Sequence, residues 1–101
     1  MTLDSPSMPK RRQSPLVQRA LLLLRQGKLS EAQGALESAI ADDPADPEAM
    51  NGLGILSVLR HDRERALFWF HQAIRVAPGH PEILNNLIDV LLERSLAATK
   101  D

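Results

Sequence analysis

From Leu16 onward, apolar residues recur at three- and four-residue spacing, and almost no stretch holds the strict alternation of a half-buried strand. The pattern predicts an all-α chain, and its punctuation divides that chain into helices. "DPADPE" stops one helix at Pro44 and starts the next with Asp46 as N-cap and Pro47 at the first helical position, and "APGHPE" repeats this with Pro78 and Pro81. In "GKLSEAQ", Ser30 followed three residues later by Gln33 has the spacing of a capping box and predicts a helix beginning there. The expected helices cover residues 16–26, 30–42, 47–60, 63–76 and 81–97. Turns this short permit only antiparallel neighbours, so the helices stack as hairpins. Residues 1–15, with Pro6, Pro9, Pro15 and the basic run Lys10-Arg11-Arg12, hold little that could be buried and are expected to be a disordered leader. The helical domain is then 16–97 and residues 98–101 a tail.

The hairpins echo one another. A shift of 34 places Leu16 on Met50 and Leu84, Ala20 on Gly54 and Ile88, Ala32 on Ala66, Ala39 on Ala73 and Pro44 on Pro78. A fixed period of this length with two helices in it marks a helical repeat array, here repeats at 13–46 and 47–80 followed by the helix at 81–97. The small residues at these positions are expected where the two helices of a hairpin cross, because close approach leaves no space for a large side chain. Gly52 and Gly54 also spell G-x-G, but inside a helix and after no strand, which is not the setting of a phosphate-binding loop.

These residues resemble the tetratricopeptide repeat, whose unit reads W-x2-L-G-x2-Y, then A-x3-F, then P. The second repeat carries Met50-x2-Leu53-Gly54-x2-Ser57, then Ala66-x3-Phe70, then Pro78. The first keeps Ala20, Ala32, Leu36 and Pro44, with Leu16, Arg19 and Leu23 in the Trp, Leu and Tyr slots. The resemblance implies a right-handed α-solenoid of two hairpins plus a fifth helix, with the first helix of each unit lining a concave face. That groove should present Val17, Leu21, Leu24, Asn51, Ile55, Val58, Leu59, Asn85 and Asp89, with Leu92 and Glu93 beyond them. It grades from apolar to acidic and amide-rich, which suits a peptide with apolar anchors whose backbone bonds to Asn side chains. Some similar proteins clamp a C-terminal carboxylate with Lys, Asn and Arg. This chain has Val17, Leu21 and Glu82 in matching places and only Asn51 resembles the clamp, so an acidic tail is not the expected ligand.

The three aromatic residues, Phe68, Trp69 and Phe70, are consecutive, and at 100° per residue three neighbours cannot share a face. Phe70 falls on the buried side with Ala66, Leu67 and Ile74, Trp69 on its flank, and Phe68 on the solvent side with His71 and Arg75. Phe68 and Trp69 are candidates for a contact between copies. So are Ile83, Leu87 and Val90, because the last helix carries an apolar arc of about 200° where a terminal helix needs only somewhat over ~100°.

Composition removes alternatives. Twelve Lys and Arg against 13 Asp and Glu leave a net charge of −1, so no global field recommends nucleic acid or an anionic membrane. With no Cys there is no disulfide, thiolate nucleophile or cysteine-held metal. His61, His71 and His80 form no i,i+4 pair for a metal, and no Ser is matched with a base and an orienting group, so no metal, cofactor or catalysis is expected. The longest apolar run, residues 20–24, is too short to cross a bilayer, and "MTLDSPSMPK" lacks a signal peptide's apolar core, so a cytoplasmic protein is expected. The function this points to is a non-catalytic adaptor for a protein or peptide. Its rivals are the N-terminal recruiting module of a larger transferase-like enzyme, which the resemblance permits, and a self-assembling scaffold.

Overall fold

The computed structural model describes the backbone of residues 14–100 and the side chains of residues 14–93. Five helices follow one another: α1 (Pro15–Arg25), α2 (Leu29–Asp42), α3 (Pro47–Leu59), α4 (Arg63–Val76) and α5 (Pro81–Lys100). The proposed leader falls mostly on residues 1–13, outside the described residues. Its last residues are structured: Ser14 Oγ accepts from the Leu16 N–H at 3.2 Å, and Pro15, with no N–H to satisfy, opens α1. At the other end α5 continues through Lys100, past the expected stop at 97.

The punctuation works as read at α3, where Asp46, buried, accepts from the N–H groups of Glu48 and Ala49 at 2.9 and 3.4 Å. It fails at α2. The helix begins at Leu29, Lys28 occupies the N-cap without a side-chain bond, and Ser30 lies within the first turn. The cause is the preceding turn. Gly27 takes a left-handed φ of 77°, the Lys28 N–H donates back to the Leu23 carbonyl at 2.9 Å, and the Lys28 carbonyl already accepts from Ala32 at 3.0 Å. Helix entry is thereby fixed two residues before Ser30. Gln33 instead donates to Glu37 at 2.9 Å and accepts from Arg60.

The corresponding turn of the second hairpin has the same geometry, with His61 at φ 62° and the Asp62 N–H donating to the Ser57 carbonyl at 2.9 Å. A side chain with a Cβ is disfavoured there by about 1–2 kcal/mol, whereas glycine costs about 0.5–1 kcal/mol of extra chain entropy. His61→Gly is therefore expected to stabilise the protein by up to ~1 kcal/mol, read as a higher urea midpoint at unchanged m-value.

Each helix packs on the next, and α1 with α3 and α3 with α5 also touch, while α1 and α5 do not meet. That is an open stack of hairpins, with no strand among the described residues. The crossing residues are small as the period requires: Ala20, Ala32, Ala39, Ala66 and Ala73 are all buried. At Gly54 an added Cβ would collide with the Phe70 ring, and at Gly52 it would stand 2.5 Å from Leu36 Cδ2. Phe70 seals the second hairpin, and Leu36, its counterpart by the 34-residue shift, fills the first beside Ala20.

The last helix corrects one expectation. Ile83, Leu87 and Val90 are not available to a second copy, because α4 covers them: Leu87 and Val90 share a core cluster with Ala66, Leu67 and Phe70, and Ile83 one with Met50 and Ala73. The apolar arc is wider than its buried seam, and that seam is the portion assigned above to a second copy. The uncovered portion is Ile88, Leu91 and Leu92, at 49%, 43% and 57% exposure.

Candidate functional site

The first helix of each unit faces one side of the stack, and there α1, α3 and α5 enclose a groove of ≈ 660 Å³. Its apolar part is Leu21, Leu24, Ile55 and Leu59, and its polar part Glu48, Asn51, Glu82, Asn85 and Asn86, with Arg25 at one side. The alignment follows from the period, since Leu21 and Ile55, Arg25 and Leu59, Asn51 and Asn85, and Glu48 and Glu82 are pairs related by 34 residues. Of the expected lining, the structure brings together Leu21, Leu24, Asn51, Ile55, Leu59 and Asn85.

Three expected groove residues lie elsewhere. Val17 is fully buried beside Ala39 and Ala49, because α1 turns it into the seam with α2 and α3. Val58 lines a separate hollow of ≈ 970 Å³ with His61, Asp62, Arg63, Val90 and Glu93, adjoining the groove through Leu59. Asp89 is exposed and lines neither. Glu93 is tied to Arg63 at 3.2 Å.

Asn51 is the groove's most constrained polar group. It is 5% exposed, and its Oδ1 accepts from Asn86 Nδ2 at 2.9 Å. No acceptor for its own amide N–H2 lies among the described residues. A buried donor without a partner costs about 1–3 kcal/mol, and an incoming carbonyl would remove that cost. Arg25, Glu48 and Asn86 are groove residues that sequence reasoning missed, and Glu82 entered it only in the comparison with the carboxylate clamp. The period could have supplied Glu48, as the counterpart of Glu82.

At the end of the groove where α3 and α5 begin, His80 Nε2 lies 2.6 Å from Glu48 Oε2. The other ring nitrogen, Nδ1, accepts from the Ile83 N–H at 3.4 Å and so caps α5. An accepting Nδ1 leaves the proton of the neutral ring on Nε2, which donates it to Glu48. Glu48, His80 and Glu82 present donor atoms within 4.8 Å of one another, the dimension of a metal site that histidine spacing alone did not suggest. A metal on Nε2 would need that nitrogen bare and Nδ1 turned donor, at the expense of the cap, so the arrangement is a hydrogen-bonded tie between α3 and α5.

On the outer face Trp69 is half-buried and covers the edge between α2 and α3, lining a cleft of ≈ 380 Å³ with Ile40, Leu53 and Leu56. Phe68 is 53% exposed and meets Trp69 edge to face, with centroids 5.1 Å apart at 80°. Phe70 is core. The three neighbouring rings thus occupy three environments, as the helical turn requires.

An open array of antiparallel hairpins, with an inner face built by every first helix, is a helical-repeat protein. The tetratricopeptide repeat family model matches residues 17–69, just over half of the chain, and the chain belongs to that family. No curated protein matches it. Tetratricopeptide repeats generally mediate protein–protein interaction, which makes protein the class of partner. No helix among the described residues is long and apolar enough to cross a membrane.

Proposed function

We propose that the protein is an adaptor whose inner groove holds an extended peptide segment of a partner. The observation that carries this reading is the convergence of apolar Leu21, Ile55 and Leu59 with the buried, half-satisfied amide of Asn51 along one groove. Apolar side chains supply anchoring, and the Asn51 N–H2 supplies a donor for a main-chain carbonyl, the division of labour found in extended-peptide recognition. Nothing in the groove pairs a nucleophile with a base, so the surface is suited to holding a segment and not to transforming it.

Leu59 is 44% exposed, so charge placed there alters the groove and leaves the core intact, whereas Ile55 is partly buried and packs on the core clusters of both hairpins, so charge there also weakens the fold. Ile55→Glu or Leu59→Glu is expected to weaken partner capture at least about tenfold, the loss of some 1.4 kcal/mol or more. The helical circular dichroism should stay near wild type in both variants, and the urea midpoint in Leu59→Glu. Undiminished capture by both folded variants would exclude the groove as the docking surface.

A further inference from the structure

We propose that the groove's occupant in the partner-free protein is the chain's own segment 8–12, with Lys10, Arg11 and Arg12 at the Glu48 and Glu82 end and Met8 over Ile55. This rests on the groove being the docking surface, and three observations select the occupant. The first is position. Ser14, the residue from which α1 departs, is in 34-residue register with Glu48 and Glu82, so the segment joins the fold at the acidic end of the groove. Packed helices lie about 8–10 Å apart. Arg12 and Lys10 precede Ser14 by two and four residues, a reach of roughly 7–13 Å before side-chain length is added. Met8 lies about 20 Å of extended chain from Ser14, comparable to the ~20 Å length of α3.

The second observation is charge. Residues 42–48 carry Asp42, Asp43, Asp46 and Glu48 with no base, and Glu82, in the first turn of α5, lies beside Glu48. Residues 1–13 carry Lys10, Arg11 and Arg12 against a single acid, Asp4. The near-zero net charge therefore conceals a segregation of opposite signs at one end of the array. The third is the Asn51 amide, whose missing acceptor a backbone carbonyl of an extended segment would provide.

Tethering removes the need for intrinsic strength. A short flexible connection gives an effective concentration of millimolar order, so a contact of only about millimolar affinity is populated roughly half of the time. A partner must displace the segment, and its apparent affinity is the intrinsic one multiplied by the fraction of groove that is free. The partner segment that competes best shares the same chemistry, a basic cluster adjoining an apolar side chain.

Because the chain has no Cys, Ser5→Cys creates a unique site for a nitroxide label on the full-length protein. The backbone amide signals of Asn51, Ile55 and Asn85 are then expected to lose most of their intensity at low salt, while those of Gly34 and His71, on the outer helices, keep theirs. Combining Lys10→Glu, Arg11→Glu and Arg12→Glu should restore the groove signals, as should about 1 M salt, where the Debye length falls to ~3 Å. Groove signals at full intensity in the labelled protein overturn the proposal, and so does broadening that survives charge reversal. Either outcome, alongside capture still weakened by Leu59→Glu, removes this occupant and leaves the docking surface standing.

Discussion

Gly54→Ala is expected to destabilise the protein by about 1–3 kcal/mol, although alanine is preferred over glycine inside a helix by ~1 kcal/mol. The reason lies across the hairpin. A Cβ on Gly54 would stand 2.5 Å from Phe70 Cδ1 and 2.7 Å from Cζ, closer than carbon atoms approach without a bond. Phe70 is 1% exposed and cannot swing its ring outward. The first hairpin solves the same crossing with Ala20 and Leu36 in the corresponding places. Phe70→Leu alone should cost on the order of 1 kcal/mol by leaving a void. In the double variant the alanine should be neutral or favourable, giving a coupling energy of about 1–3 kcal/mol. Urea denaturation of the four proteins measures this cycle. Strict additivity would mean that the ring and the glycine do not share the space assigned to them.

Ile83→Ala is expected to cost about 2–5 kcal/mol, whereas Ile88→Ala, five residues along the same helix, should change stability by less than ~0.5 kcal/mol. Ile83 is fully buried against Met50 and Ala73, and Ile88 is half exposed. The first loss is a large fraction of the ~5–15 kcal/mol that holds a domain together, so Ile83→Ala should show a much lower midpoint in thermal or urea unfolding. Similar effects at the two positions would contradict the packing of α5 on α4. The pair matters because the amino-acid sequence treats both residues alike, as isoleucines on one apolar arc.

The fold was legible because its determinants are local or periodic. Proline pairs at residues 44–47 and 78–81 cannot sit inside a helix, Asp46 caps the helix that follows, and the 34-residue shift aligns small residues wherever hairpins cross. Where two local signals competed, the order of the chain decided. Ser30 and Gln33 have capping-box spacing, but Gly27, reached first, reverses the chain so early that α2 is under way before Ser30.

The groove was half legible for a related reason. The resemblance to the tetratricopeptide repeat implied that Leu21, Leu24, Asn51, Ile55, Leu59 and Asn85 share one face, and the structure brings them together. The resemblance could not say that Val17, in register with Asn51 and Asn85, is swallowed by the seam with α2 and α3, nor that Asn86 occupies one side of the Asn51 amide. Nor could it say which part of the wide arc on α5 lies under α4. By itself the sequence determined how many helices there are, where proline and its caps separate them, and which positions are equivalent, since propensity, capping and periodicity act within a few residues or repeat at a fixed interval. Only the tertiary structure decided which of several equally apolar side chains is covered, because burial depends on the neighbour that lies over a residue, and that neighbour is set by how whole helices cross.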